Sequence, residues 1–133
     1  MAPNPAGPTA TPRIQIFGLE KDRGTRAAIR FFRERRAEVH LVDLRRKPIS
    51  PGELRRFVQK LGAEALLDTA GRTYREAGLG YLALDETGIV ARLLADPALL
   101  RLPLVRHGEE VTAGPADATW RAWLTPGRAA PPT

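Results

Sequence analysis

The first place where chemistry is expected in this sequence is the loop of residues 18–23, where an apolar segment leads into a helical pattern. A helix N-terminus stabilises an anion through its unpaired N–H groups and its dipole, so a nucleophile there would be activated. This loop has no cysteine, serine or histidine, and the residue at the start of the predicted helix is Asp22. The chemistry of the loop therefore depends on what a carboxylate does at that position.

Asp22 has two interpretations from the neighbouring residues alone. As an N-cap, its carboxylate accepts a hydrogen bond from the N–H of Gly24 or Thr25, which stabilises a helix by ~1 kcal/mol. Arg26 is placed one turn later for an i,i+4 ion pair with it. As a general base, Asp22 would need an activating neighbour, and the surrounding sequence offers none. The N-cap is the favoured interpretation.

Composition excludes several classes of site. The sequence contains no cysteine, so this chain forms no disulfide, thiolate metal site or cysteine nucleophile. His40 and His107 lie far apart without the spacing of metal ligands, and we expect neither a metal nor another cofactor.

The charge of the chain is carried by arginine. Of the 21 basic residues, 18 are Arg and 3 are Lys, and the net charge is +6. Such a charge is compatible with nucleic-acid binding. However, the arginines are not interleaved with aromatic residues that would stack on bases. Nucleic acid is therefore not the expected partner.

The residue patterns predict a βαβ unit, a helical stretch, a β-hairpin and a closing helix. Ser50, Pro51 and Glu53 form the signature of a capped helix start. The closing helix carries Trp120 in the core and a partly exposed Trp123. The predicted strands are 13–18 and 38–44, with two more within 102–114; the predicted helices are 22–36, 50–62, a turn at 63–68, one around Ile89 to Leu94, one from Pro97, and 116–124.

Proline-rich segments flank this body. Residues 1–12 and 125–133 are expected to be disordered tails, because they have too little apolar surface to offset the entropy of ordering. Residues 13–124 are expected to form one domain. No stretch resembles a membrane span or a signal peptide, so a cytoplasmic location and no membrane partner are expected.

Three segments, in this order, resemble the arsenate reductase (ArsC) family of thioredoxin-fold proteins, which includes the Spx-type regulators of RNA polymerase. The segments are "IFGLEKDRGTRAAIRFF", "LGAEALLDTAGRTYRE" and "ADPALLRLPLVRHGEEVTAGPADATWRAWL". The resemblance covers residues 13–124. It implies an α/β fold of the thioredoxin type, βαβ followed by ββα with a helical insertion between the halves, and a cis peptide bond before Pro103.

The resemblance also implies which functional residues are replaced. The redox cysteine of the family falls on Asp22, which cannot form a mixed disulfide. Two oxyanion-binding arginines fall on Asp68 and Leu102, and a third falls near Ala113 and Gly114. Arsenate reductase and thiol redox activity are therefore not expected. If Asp22 takes the place of the redox cysteine, it has one more interpretation: its carboxylate permanently mimics the thiolate form of that cysteine.

The expected function is that of a non-catalytic, protein-binding or regulatory module. Arg26, Arg30 and Arg33 fall on one face of the first predicted helix and would attract an acidic protein surface. The resemblance to Spx-type regulators suggests an RNA polymerase subunit as one such partner. The alternative is a residual glutathione-binding transferase or oxidoreductase-like enzyme that uses the helix N-terminus at Asp22.

Overall fold

The computed structural model describes residues 12–125, and within this range the chain forms a four-stranded sheet with five α-helices. This α/β arrangement confirms the predicted thioredoxin-like fold. The strands are β1 (Arg13–Gly18), β2 (Glu38–Asp43), β3 (Leu104–His107) and β4 (Glu110–Ala113), and the helices are α1 (Arg23–Glu34), α2 (Pro51–Leu61), α3 (Arg72–Glu76), α4 (Glu86–Ala95) and α5 (Asp117–Leu124), with 3-10 turns at Glu64–Leu66, Leu79–Tyr81 and Pro97–Leu99.

The sheet has the strand order β2-β1-β3-β4. Strand β1 pairs in parallel with β2, through the crossover helix α1, and antiparallel with β3. Strands β3 and β4 form a hairpin in which His107 pairs with Glu110. Gly108 opens the two-residue turn with φ of 62°, a conformation that glycine adopts without strain.

Each face of the sheet has its own core because successive side chains of a strand point to opposite faces. Ile14 and Ile16 pack with the apolar sides of α1 and α5. Phe17, the next residue of β1, faces the other way and packs with α2 and the helical insertion. Helices therefore cover both faces around the middle of β1.

The helical insertion of residues 68–99 begins and ends at one narrow neck. Leu67 and Leu100 form an antiparallel bridge. The Asp68 N–H donates to the Leu99 carbonyl at 2.9 Å, and the Arg101 N–H donates to the Leu66 carbonyl at 2.8 Å. The neck therefore fixes the chain just before Pro103.

The structure confirms the capped helix start that the sequence predicted for α2. The Ser50 hydroxyl accepts from the Glu53 N–H, and the Glu53 carboxylate accepts from the Ser50 N–H. Pro51 occupies the first turn of α2, and Gly62 follows its end. Ala28, Phe31 and Phe32 of α1 are buried in the core shared with α5.

Four details differ from the predictions. Helix α1 ends at Glu34 rather than at residue 36, because Arg36 has a left-handed φ of 62°. The helix expected from Pro97 is only a 3-10 turn, and α3 was not predicted. Trp123 is 6% exposed rather than partly exposed, because its ring stacks on His107 of β3 at 5.4 Å.

The predicted tails lie almost entirely outside the described residues. Pro12 and Thr125, which were assigned to the tails, belong to the described part: the Pro12 carbonyl accepts from the Glu38 N–H, and the Thr125 hydroxyl donates to the Arg121 carbonyl. Between residues 12 and 125 we find no helix that is long and apolar enough to cross a membrane.

Candidate functional site at the start of helix α1

Asp22 is the N-cap of α1, as the sequence predicted. Its backbone is extended, with φ of −76° and ψ of 127°. The carboxylate oxygen Oδ2 accepts from the Thr25 N–H at 2.7 Å and from the Thr25 hydroxyl at 2.9 Å. One oxygen of the carboxylate therefore satisfies a free N–H of the first turn and holds a side chain as well.

The expected ion pair between Asp22 and Arg26 does not form. Arg26 instead donates from Nη1 to the carbonyls of Glu20 and Lys21, both at 3.2 Å. The Asp22 carboxylate is directed into the helix, towards Thr25, whereas the Arg26 guanidinium folds back over the preceding loop. This explains why a favourable sequence spacing gives no ion pair here.

Thr25 ties the loop to the helix through its side chain, a role that was not predicted from the sequence. It is completely buried, and its hydroxyl accepts from the Leu19 N–H at 3.3 Å while donating to Asp22. Gly18 lies against it so closely that a methyl group at residue 18 would overlap the Thr25 side chain. The signal that could have found Thr25 is its position three residues after an aspartate N-cap, where capping residues make reciprocal contacts.

The start of α1 packs against the segment that contains the cis peptide bond. The Leu102–Pro103 bond is cis, which confirms the expectation from the family resemblance. A Cβ atom placed on Gly24 would lie 3.1 Å from the Leu102 carbonyl oxygen and 3.3 Å from both the Pro103 Cδ and the Asp22 Oδ2. Glycine at residue 24 thus permits close packing of the helix start on this segment.

The positions that the family resemblance assigns to the oxyanion-binding arginines lie near the same segment. The Gly114 N–H donates to the Pro103 carbonyl at 2.9 Å. A Cβ atom on Gly114 would lie 2.7 Å from the Nε of Arg101, so the Arg101 side chain occupies the space beside Gly114. Asp68 lies at the neck of the insertion, where its carboxylate lies close to Gly71. Leu102 contributes its carbonyl to the packing of Gly24 described above.

The arrangement around Asp22 is that of a helix cap. A carboxylate cannot exchange with a disulfide, and the Oδ2 atom that faces the helix N-terminus is already hydrogen bonded twice. An anion at this point would meet the negative charge of Asp22 instead of a free helix end. In addition, no group of three His, Asp or Glu residues in the described range could hold a metal ion.

Helix α1 carries a row of exposed arginines that continues away from Asp22. Arg26, Arg30 and Arg33 are exposed, as predicted, and Arg23 extends the row with the same helical spacing. Within residues 12–125, none of these four is in an ion pair with a carboxylate. The spacing of three residues between Arg23 and Arg26 is visible in the sequence and would have extended the predicted set.

The chain is similar in sequence and in fold to several known proteins. Arsenate reductases from two strains of Neisseria meningitidis, serogroup A Z2491 and serogroup B MC58, are each 28% identical to the chain over 106 residues, covering 77% of the chain and 91% of the relative. The solved structure of the YffB protein superposes with a TM-score of 0.78 at 22% identity, covering 84% of this chain and 99% of that one. An arsenate reductase from Vibrio cholerae gives 0.71 at 20% identity, covering 82% and 95%.

These structural likenesses support the thioredoxin-like fold, and the family itself is shown by sequence. The model of the ArsC family matches residues 20–123. The matched range begins just before Asp22 and ends within α5, so it includes both the start of α1 and the cis-proline segment. The chain therefore belongs to the ArsC family.

Proposed function

We propose that this chain is a non-catalytic ArsC-family module that binds an acidic protein surface through the exposed arginines of α1. The observation that carries the proposal is the row of four arginines, Arg23, Arg26, Arg30 and Arg33, without an ion-pairing carboxylate in the described residues. Like charges at spacings of three and four residues destabilise a helix by a few tenths of a kcal/mol per pair. A partner that supplies carboxylates would remove this cost.

A second argument comes from the residue at the start of the helix. By resemblance, Asp22 stands where the family carries its redox cysteine, and the 133-residue sequence has no cysteine elsewhere. The Asp22 carboxylate is engaged with Thr25. This supports a protein that keeps the family fold without its thiol chemistry, and it weighs against the alternative of a glutathione-binding enzyme, because Asp22 would repel a bound thiolate.

The proposed partner is an acidic protein surface such as that of an RNA polymerase subunit. Complementary charge accelerates encounter and makes binding sensitive to salt. The arginines of α1 lie on the solvent side of the helix, whereas its Ala28, Phe31 and Phe32 are buried. The partner would therefore contact α1 without disturbing the core.

The experiment is a binding measurement with purified RNA polymerase from the source organism at several salt concentrations. One variant replaces Arg26, Arg30 and Arg33 by Gln. The matched control replaces Arg55, Arg56 and Lys60 on the exposed side of α2 by Gln, which removes the same charge. We expect salt-sensitive binding that is lost in the α1 variant and kept in the α2 variant.

Two companion measurements separate the alternatives. Equal loss of binding in both variants, or no binding to polymerase at low salt, would contradict the proposal. Binding to duplex DNA in place of polymerase, with a steep inverse salt dependence, would favour a nucleic-acid partner. A saturable thermal shift with glutathione would favour the enzyme alternative.

A further inference from the structure

The open half of one sheet face carries a row of polar side chains that the proposed function does not use. In β1, Arg13, Gln15 and Phe17 point to the same face because side chains alternate along a strand. Phe17 is covered by the core around α2, but Gln15 is only half-buried and Arg13 is exposed. The helices on this face therefore leave the beginning of β1 open to solvent.

The register of the sheet brings three hydrogen-bond donors together on this open half. Gln15 is the direct partner of His40 in β2 and of Arg106 in β3. Directly paired residues of neighbouring strands point to the same face and lie about 5 Å apart. The side chains of Gln15, His40 and Arg106 consequently form one row across three strands, with an amide at its centre.

The row lines a cavity of about 450 Å³. This volume falls within the ~300–1,000 Å³ range of small-molecule sites. Arg13, Ile14, Glu38 and Gly108 also line the cavity. The space exceeds that of a single inorganic anion and leaves room for the organic part of a small ligand.

Arg106 has a fixed orientation and no carboxylate partner in the described residues. Its Nε donates to the Gly108 carbonyl at 2.9 Å, in the turn that glycine makes possible. The terminal nitrogens of the guanidinium remain available as a fork, the geometry that matches an oxyanion. Within residues 12–125, Arg106 forms no ion pair.

The other charges of the cavity do not cancel that of Arg106. Glu38 is paired with Arg13, whose Nε lies 3.6 Å from its carboxylate. His40 is exposed and supplies a ring N–H. The lining therefore has a net positive charge, and Gln15, His40 and Arg106 place their side chains on one face of the sheet.

We propose that this cavity binds a small organic anion, whose phosphate or carboxylate group is held by Arg106 and Gln15 with His40 at the other end of the row. The site lies on the opposite face of the sheet from α1, which packs on Ile14 and Ile16. Binding there is independent of the arginines of α1. Failure of one proposal leaves the other standing.

The test uses isotope-labelled full-length protein titrated with inorganic phosphate, and separately with succinate, at constant ionic strength in nuclear magnetic resonance experiments. We expect saturable shifts of the Arg106 Nε–H, the Gln15 side-chain amide and the His40 ring at millimolar concentrations. Saturation by phosphate alone identifies a phosphate ligand, and saturation by succinate alone identifies a carboxylate ligand. Saturation by both also supports the proposed oxyanion site.

Matched variants connect binding to the row. The substitution Arg106→Gln removes charge-assisted hydrogen bonds and should weaken binding about tenfold or more. The substitution Arg56→Gln removes the same charge from an exposed position on α2 and should leave the affinity unchanged. Folding of each variant is checked from the dispersion of the same spectra. Absence of saturation with both anions, or equal weakening in the two variants, would overturn the proposal.

Discussion

Asp22 and Thr25 are joined by two hydrogen bonds that converge on a single atom, the Oδ2 of the carboxylate, at 2.7 Å from the Thr25 N and 2.9 Å from its Oγ1. The same hydroxyl accepts from the Leu19 N–H. The end of β1, the following loop and the first turn of α1 are therefore connected through one buried threonine. The residue that the family resemblance aligns with the redox cysteine therefore holds these segments together in this chain.

The substitution Asp22→Ala should lower the free energy of unfolding by about 1–2 kcal/mol, because it removes an N-cap. It also removes the acceptor of the buried Thr25 hydroxyl. Asp22→Asn keeps an acceptor oxygen and should cost less. The measurement is urea unfolding followed by circular dichroism. Equal stability of the alanine variant and the original protein would show that the carboxylate is not a cap.

Thr25→Val should destabilise the protein by about 1–3 kcal/mol, since the Leu19 N–H loses its acceptor. Combined with Asp22→Ala in a double-mutant cycle, the two effects should fall short of additivity by about 0.5 kcal/mol or more. Unfolding free energies of the four proteins provide the cycle. Additive effects would mean that the two residues stabilise the helix independently.

Gly18→Ala should destabilise the chain by about 1–3 kcal/mol through overpacking against Thr25. The control is Gly52→Ala in α2, where a Cβ atom would meet nothing within 4 Å. This control should be neutral or stabilising, because alanine favours a helix more than glycine does. Thermal unfolding of both variants distinguishes a local clash from a general effect of the added methyl group.

Trp120→Phe should cost about 1–3 kcal/mol because it leaves the Thr112 hydroxyl buried without its donor. The Trp120 Nε1 donates to the Thr112 Oγ1 at 2.8 Å, and both residues are buried. Thr112→Val should have an effect of the same sign. The double variant should lose less than the sum of the two, which chemical unfolding can measure, and a full sum would contradict the buried hydrogen bond.

Arg30→Glu should raise the stability of α1 while it abolishes partner binding. A carboxylate at residue 30 is placed for helical pairs with Arg26 and Arg33, each contributing about 0.2–0.5 kcal/mol. The neutral variant Arg30→Gln should be intermediate in both properties. Thermal unfolding and polymerase binding are measured on the same samples. Higher stability with unchanged binding would mean that the arginine row takes no part in partner recognition.

Elements determined by residues close together in the chain were predicted, whereas features that depend on residues far apart in the chain were missed. Helix α2 was predicted with its cap because Ser50, Pro51 and Glu53 interact within one turn. The burial of Trp123 was missed because it depends on His107, which lies sixteen residues earlier and reaches it only through the packing of β3 against α5. The short helix α3 carries no buried residue, so it has no apolar periodicity to detect.

The candidate sites show the same difference between features set by neighbouring residues and features set by residues distant in the chain. Asp22 was identified as a cap from its position before a helical pattern, whereas its lack of an ion pair with Arg26 depends on the carbonyls of the folded loop. The row of Gln15, His40 and Arg106 could not be found from the sequence. Its members come from three strands, and a shift of one residue in the register would turn a side chain to the other face.

The neck between Leu67 and Leu100 has an evolutionary consequence. Since hydrogen bonds fix both ends of the insertion beside Pro103, residues can be added or removed among the exposed connections between them without moving β3. Loop lengthening costs little entropy once the ends are held. Diversity of length among relatives is thus expected between residues 68 and 99, where new recognition surfaces could arise while the sheet keeps its register.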